Sequence, residues 1–183
     1  MDLRSDKSLI EAALARDLGA FDELMQRYER LVYKVALNFV HDSESAFDIS
    51  QSVFLKAFQG LDRFRHEANV KTWILRITYN ESIDWLRKHR SQGGVHASIE
   101  DAPEPLAVAP DQERDVFGQE DRARIARAVA TLNERHRLAV SLRYFQGLGI
   151  PEIAHVLGCS EGVTKNMLFR SVRSLRETLA GMV

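Results

Sequence analysis

The sequence predicts an all-α protein: two small helical domains joined by a flexible acidic linker. Three observations lead there. Apolar residues recur at helical spacing through most of the 183 residues. Alternation of β-branched residues is almost absent, and Gly and Pro are scarce inside the periodic segments. Between 91 and 117 the period vanishes, and Gly93-Gly94, Pro103, Pro105 and Pro110 collect there. The expected boundaries are a domain over 1–90, a linker over 91–118 and a domain over 119–183. No internal repeat is visible.

The elements follow in order. A first helix is expected over 7–17. A longer one over 21–40 carries Phe21, Leu24, Met25, Tyr28, Leu31, Val32, Val35, Ala36 and Phe39 on one stripe. A third, over 43–59, is anchored by Phe47, Val53, Phe54, Ala57 and Phe58, with Gly60 as its stop. A fourth, over 70–90, has Val70, Trp73, Ile74, Ile77 and Trp85 among its apolar residues and Asn69 as its cap. Beyond the linker a helix is expected over 120–132. Asn133 breaks the pattern, and another helix runs to Phe145. Gly147 and Gly149 supply the next turn.

The segment 151–170 is the most informative part of the chain. Ile153, Ala154 and Leu157 share one face of a short helix, and Ala154 is small enough for a second helix to cross closely. Gly158 ends that helix, because glycine takes left-handed geometry without penalty. Ser160 caps the next helix through its hydroxyl. That helix carries Lys165, Asn166, Arg170, Arg173 and Arg176, side chains suited to phosphates and base edges. The pattern is that of a DNA-binding helix-turn-helix. A buried helical hairpin in an ordinary α-domain is the alternative.

Composition narrows the classes. An apolar share of 45% supports real cores. The single Cys159 excludes an internal disulfide framework and any multi-cysteine zinc site, and fits a reducing cytoplasm. The opening Met1-Asp2-Leu3-Arg4-Ser5-Asp6 is mostly polar, so no secretory signal is expected, and no apolar run approaches a membrane span. Net charge is only −1, but it is unevenly spread. Residues 61–90 hold seven Lys/Arg against four Asp/Glu, 91–121 one against eight, and 122–183 ten against four. Two basic segments thus flank an acidic one, as in a chain that meets DNA at both ends. A solvated acidic linker between two domains would look the same.

Two helical domains, an acidic linker and a C-terminal helix-turn-helix together resemble the bacterial sigma factors of the extracytoplasmic-function (ECF) type, in the sigma-70 family. The resemblance covers nearly the whole chain. Gln51-Ser52-Val53-Phe54-Leu55-Lys56-Ala57-Phe58 is similar to the family's second conserved region, and Leu61-Asp62-Arg63-Phe64-Arg65 follows it. Lys71-Thr72-Trp73-Ile74-Leu75-Arg76-Ile77-Thr78-Tyr79-Asn80 resembles the promoter-melting segment, and Asp84-Trp85-Leu86-Arg87-Lys88 closes the domain. Leu132, the helix through Arg143, and Glu152-Ile153-Ala154 to Arg170 resemble the fourth region.

The chain departs from the family pattern at three places. Phe47 and Ser52 stand where acidic residues are usual, on a surface that resembles the one docking on the polymerase clamp helices; Asp48 and Gln51 remain. The usual Gly-Thr-Val-Lys-Ser-Arg becomes Gly162-Val163-Thr164-Lys165-Asn166-Met167, which loses one donor and gains an amide, so an uncommon −35 sequence is expected. Gly149 stands where Ser or Thr often caps, at a cost of a few tenths of a kcal/mol.

The resemblance implies an alternative sigma factor that binds core RNA polymerase, reads −10 and −35 promoter elements and aids melting at the −10 element. In the first domain Arg65, His66, Glu67, Ala68 and Asn69 would form a loop that captures an extruded base, with Lys71 and Asn80 beside it. Trp73 is either a stacking face or core packing. Arg87, Lys88 and Arg90 would hold phosphates, or form a solvated helix end that suits the macrodipole. Asp48, Gln51 and Leu55 would meet the polymerase. In the second domain Lys165, Asn166, Phe169 and Arg170 match positions that face the −35 duplex, and Arg173 and Arg176 would hold its backbone. Phe169 either touches a thymine methyl or packs in the core. The acidic linker would thread a basic polymerase channel, or is simply solvated. The implied partners are core polymerase, promoter DNA and an anti-sigma protein, in the cytoplasm, without membrane insertion, metal or cofactor.

Three rival readings remain. An enzyme is disfavoured, because His41, His66, His89, His96, His136 and His155 form no i, i+4 pair and no Gly-rich phosphate loop occurs. A one-component dimeric regulator would need an effector pocket or a dimer helix, and neither is evident. A helical adaptor that binds only proteins is the third.

Overall fold

The computed structural model describes residues 4–64, 69–90 and 119–181. Eight α-helices and one short 3-10 helix, Leu61–Arg63, make up the regular structure of these residues, without a strand. The helices are α1 Asp6–Leu14, α2 Leu18–Val40, α3 Ser43–Gly60, α4 Val70–Arg90, α5 Gln119–Ala130, α6 Glu134–Tyr144, α7 Ile150–Leu157 and α8 Glu161–Ala180. α1 to α4 form one compact unit and α5 to α8 a second. The expected linker over 91–118 lies outside the described residues.

In the first unit α2 is the hub, packed against α1, α3 and α4. Its Leu24, Val32, Val35, Ala36 and Phe39 are buried together with Val53 and Ala57 of α3 and Ile74 and Leu75 of α4. Small hydroxyl residues permit close helix approach without stranding polar groups. Ser50, Thr78 and Ser82 are buried, and each donates to the carbonyl four residues back, at 2.7, 2.9 and 2.8 Å. Asp6 ties α1 to α2 by accepting from Arg27 at 3.0 Å and from the Tyr28 hydroxyl. Burial and the Asp6 carboxylate push the Tyr28 phenol far above its usual range.

The first two helices meet earlier than expected. α1 ends at Leu14, and Arg16 takes a left-handed φ of 73°. Asp17 then caps α2, its Oδ1 accepting the Ala20 N–H at 3.1 Å, so α2 starts at Leu18 and not at 21. Asp42 caps α3 through the Ser45 N–H at 2.8 Å, and hydrogen bonding from the Ser45 hydroxyl, with that from its N–H, holds the Asp42 carboxyl below the usual range. Asn69 caps α4, accepting the Lys71 N–H at 2.9 Å. Asn133 does the same for α6 through the His136 N–H at 3.0 Å. α5 ends at Ala130, two residues short of the expected 132, where the Thr131 and Leu132 N–H groups turn to the Ala128 and Val129 carbonyls at 3.2 and 3.1 Å.

Two anchors assigned to α3 are displaced. The buried register is Ala46, Ile49, Ser50, Val53 and Ala57, a strict i, i+3/i+4 stripe. Phe47 is one residue off that stripe and more than half exposed. Phe58 is nearly half exposed, with only an edge-to-face contact to Phe21 at 5.0 Å.

Candidate nucleic-acid interface

The turn between α7 and α8 is built by backbone geometry. Gly158 sits at φ 60°, ψ 42°. Its N–H donates to His155 O at 3.4 Å and the Cys159 N–H to Ala154 O at 3.0 Å, the paired bonds that close a helix behind a left-handed glycine. Ser160 then opens α8, its Oγ accepting the Val163 N–H at 3.3 Å. Arg135 of α6 donates to Leu157 O at 3.1 Å and so ties a third helix to the turn. At the other end of α7 the Gly149 N–H donates to Glu152 Oε2 at 2.7 Å. The missing Ser or Thr cap at Gly149 is thus partly replaced by the reverse half of a capping box.

α8 has two unlike faces. Thr164, Met167, Leu168 and Ser171 are buried against the rest of the unit. Lys165, Asn166, Phe169, Arg170, Arg173 and Arg176 are all exposed on the opposite side. Phe169 is 68% exposed, which decides against core packing. Met167, at the position where a donor is missing, is buried, so that departure lies in the core and away from the donor face. Arg173 is 3.8 Å from Glu177 at i, i+4, an exposed pair that water screens.

One contact in this unit left no pattern in the sequence. His136 Nδ1 of α6 lies 2.9 Å from Ser171 Oγ, and Ser171 in turn donates to Met167 O at 2.8 Å. Burial, with the nearby charges of Arg170 and Arg135, pushes the His136 imidazole below its ordinary pKa. The two residues are 35 apart in the chain, and helical periodicity carries no information across that distance.

In the first unit Trp73, Asn80 and Arg87 fall on one line of α4 at i, i+7 and i+14. Asn80, Arg87 and Lys88 are exposed and Lys71 is half-buried. Arg87 also pairs with Asp84 at 3.1 Å. Trp73 is half-buried against Phe64, with ring centroids 4.9 Å apart, so packing claims one side of the indole. Arg65, His66, Glu67 and Ala68 lie outside the described residues; Asn69 is exposed at the start of α4.

On α3 the exposed side presents Asp48, Gln51 and Leu55, the last 58% exposed. Phe47 and Phe54 line a shallow groove with Tyr33 of α2 and Gln51. Among the described residues no group of three or more His, Cys, Asp and Glu is placed to hold a metal ion. No described helix is long and apolar enough to cross a membrane.

Comparison with known proteins agrees with these two units. Residues 24–92 match the family Sigma-70 region 2, and residues 122–175 match Sigma-70, region 4. The chain is 30% identical over 180 residues to the RNA polymerase sigma-H factor of Pseudomonas aeruginosa, covering 95% of this chain and 93% of that one. It is 34% identical over 176 residues to the ECF RNA polymerase sigma factor SigM of Mycobacterium tuberculosis, covering 96% and 85%. Among solved structures, CnrH in complex with the cytosolic domain of CnrY is similar with a TM-score of 0.67 at 23% identity, over 96% of this chain and 97% of that one. The sigma factor RpoE of Bartonella quintana, solved with the anti-sigma factor NepR, has a TM-score of 0.66 at 24% identity, over 87% and 96%. At those identities the two structures speak for the fold.

Proposed function

The chain belongs to the sigma-70 family of RNA polymerase sigma factors, in its ECF branch, and on that premise we propose how its residues divide the work of promoter use. It is an alternative sigma factor, a non-enzymatic protein that binds core RNA polymerase and directs promoter-specific initiation.

The second unit, 119–183, reads the −35 element with α8 in the major groove. The observation that carries this is the exposed face of Lys165, Asn166, Phe169 and Arg170 behind a capped, glycine-closed turn. Arg170 suits guanine O6 and N7, and Asn166 suits adenine N6 and N7. Phe169 offers an apolar edge to a thymine methyl, while Arg173 and Arg176 hold phosphate.

The first unit, 1–90, binds the −10 element and the polymerase. Asn80 offers an amide that donates and accepts toward a captured base, and Arg65, His66, Glu67, Asn69 and Lys71 share in that capture. Arg87 and Lys88 follow the backbone. Trp73, half-buried against Phe64, offers the remaining part of its indole for base stacking. Asp48, Gln51 and Leu55 dock on core, and the acidic 91–118 segment threads its basic channel. The protein works in the cytoplasm under an anti-sigma partner that covers exposed apolar side chains of α3 such as Phe47 and Leu55.

Run-off transcription with purified core on genomic fragments tests this reading, beside a gel shift with and without core. A sigma factor gives discrete start sites only with core. Tight, specific operator binding by the chain alone, without core-dependent transcription, would overturn it in favour of a one-component regulator.

A further inference from the structure

Val163 is an apolar side chain in a place that packing does not explain. It stands in the first turn of α8, yet it is 47% exposed. Nearly half of its surface is left to solvent, and a β-branched residue has poor helix propensity. The sequence around it alternates sharply: Thr164 next to it is buried, and its hydroxyl donates to Ser160 O at 3.2 Å. The polar member of the pair therefore faces inward with its hydroxyl satisfied, and the apolar member faces outward.

The direction of that side chain is informative. At about 100° per residue, Val163 and Arg170 lie within about 20° of one line along the helix, with Asn166 about 60° to one side. Val163 thus borders the same face that presents Asn166 and Arg170. Seven residues at 1.5 Å separate Val163 from Arg170 by about 10 Å, or about three base-pair steps of 3.4 Å. The N-terminal turn of a recognition helix is also the part that reaches base edges. Major-groove chemistry offers one conspicuous apolar target, the thymine C5-methyl.

We propose that Val163 is a specificity-determining residue of the −35 contact, reading a thymine methyl about three base pairs from the base read by Arg170. The inference rests on α8 being the −35 recognition helix. It adds a reader distinct from Phe169, which lies about 120° away around the same helix.

The test uses holoenzyme assembled from the full chain and core polymerase. A −35 library of random sequence is selected with the wild-type chain and with Val163→Ala. Deoxyuridine, which lacks only the methyl, then replaces each thymine of the selected element singly. One thymine should lose its preference in the Val163→Ala selection. Deoxyuridine there should weaken wild-type promoter binding about fourfold, the effect of one buried methyl group, and leave Val163→Ala indifferent. Phe169→Ala should keep its sensitivity at that position. A selected element without thymine, or identical deoxyuridine profiles for wild type and Val163→Ala, would overturn the proposal. Arg170→Ala separates the two layers: unchanged −35 selection in that variant means that α8 itself is misread, whereas altered selection with an inert Val163 removes Val163 alone.

Discussion

His136 Nδ1 and Ser171 Oγ, 2.9 Å apart, join α6 to α8 one residue beyond Arg170. The bond places an imidazole against the helix that carries the exposed donors Lys165, Asn166 and Arg170. Burial and the charges of Arg170 and Arg135 keep its folded pKa below the ordinary 6.5.

A pH dependence follows from that lowered pKa. As pH falls through about 6.5 the unfolded chain takes up the proton before the folded one does. The stability this residue contributes above pH 6.5 is therefore lost as pH drops toward the folded pKa. Thermal unfolding of the second unit at pH about 7.5 and about 5.5 reads the effect. The wild type should lose more stability over that range than His136→Gln, and an equal loss in the two would show that His136 does not carry the dependence.

Gly158→Ala should destabilise the second unit by about 1–2 kcal/mol, because φ 60° is left-handed and a Cβ is penalised there. No atom lies within 4 Å of where that Cβ would be, so conformation and not collision sets the effect. Ser160→Ala should cost about 1 kcal/mol through the lost cap. Urea denaturation followed through the second unit measures both; a neutral Gly158→Ala would refute the account of the turn.

Lys165→Ala, Asn166→Ala and Arg170→Ala should each weaken use of the −35 element while core binding stays intact. A lost bidentate base contact costs about 1–3 kcal/mol. All three side chains are exposed, so the fold should persist. Wild-type transcription and crosslinking by all three variants would mean that α8 is not the recognition helix.

Core docking by α3 should depend less on salt than it would with acids at positions 47 and 52. On the proposed docking surface Leu55, 58% exposed, would be the apolar anchor, and the exposed Phe47 would add apolar area in place of a charge. Core affinity measured against salt for the wild type and for a Phe47→Glu, Ser52→Glu double variant should give a steeper slope for the variant. Identical slopes would remove the electrostatic part, and full binding by an Asp48→Ala, Leu55→Ala variant would remove the docking surface.

Much of this chain was legible before any coordinates, for local reasons. Gly158, Ser160, Asn69 and Asn133 act on backbone groups within five residues of themselves, so their roles are written in neighbouring letters. Donors on α8 share a face because helical geometry requires it. Periodicity erred at aromatic residues flanking the buried stripe: Phe47, Phe54 and Phe58 all suit a core, and only the partner helices decide which are covered.

Spacing and backbone preference suffice for the helical class, the turn chemistry of 158–160 and the donor set of the last helix. Tertiary packing alone decided that Phe169 and Val163 face outward while Met167 and Thr164 face in. It alone paired His136 with Ser171, and it spent one side of Trp73 on Phe64. Burial is a property of what lies opposite a side chain, and what lies opposite is set by helices distant in sequence.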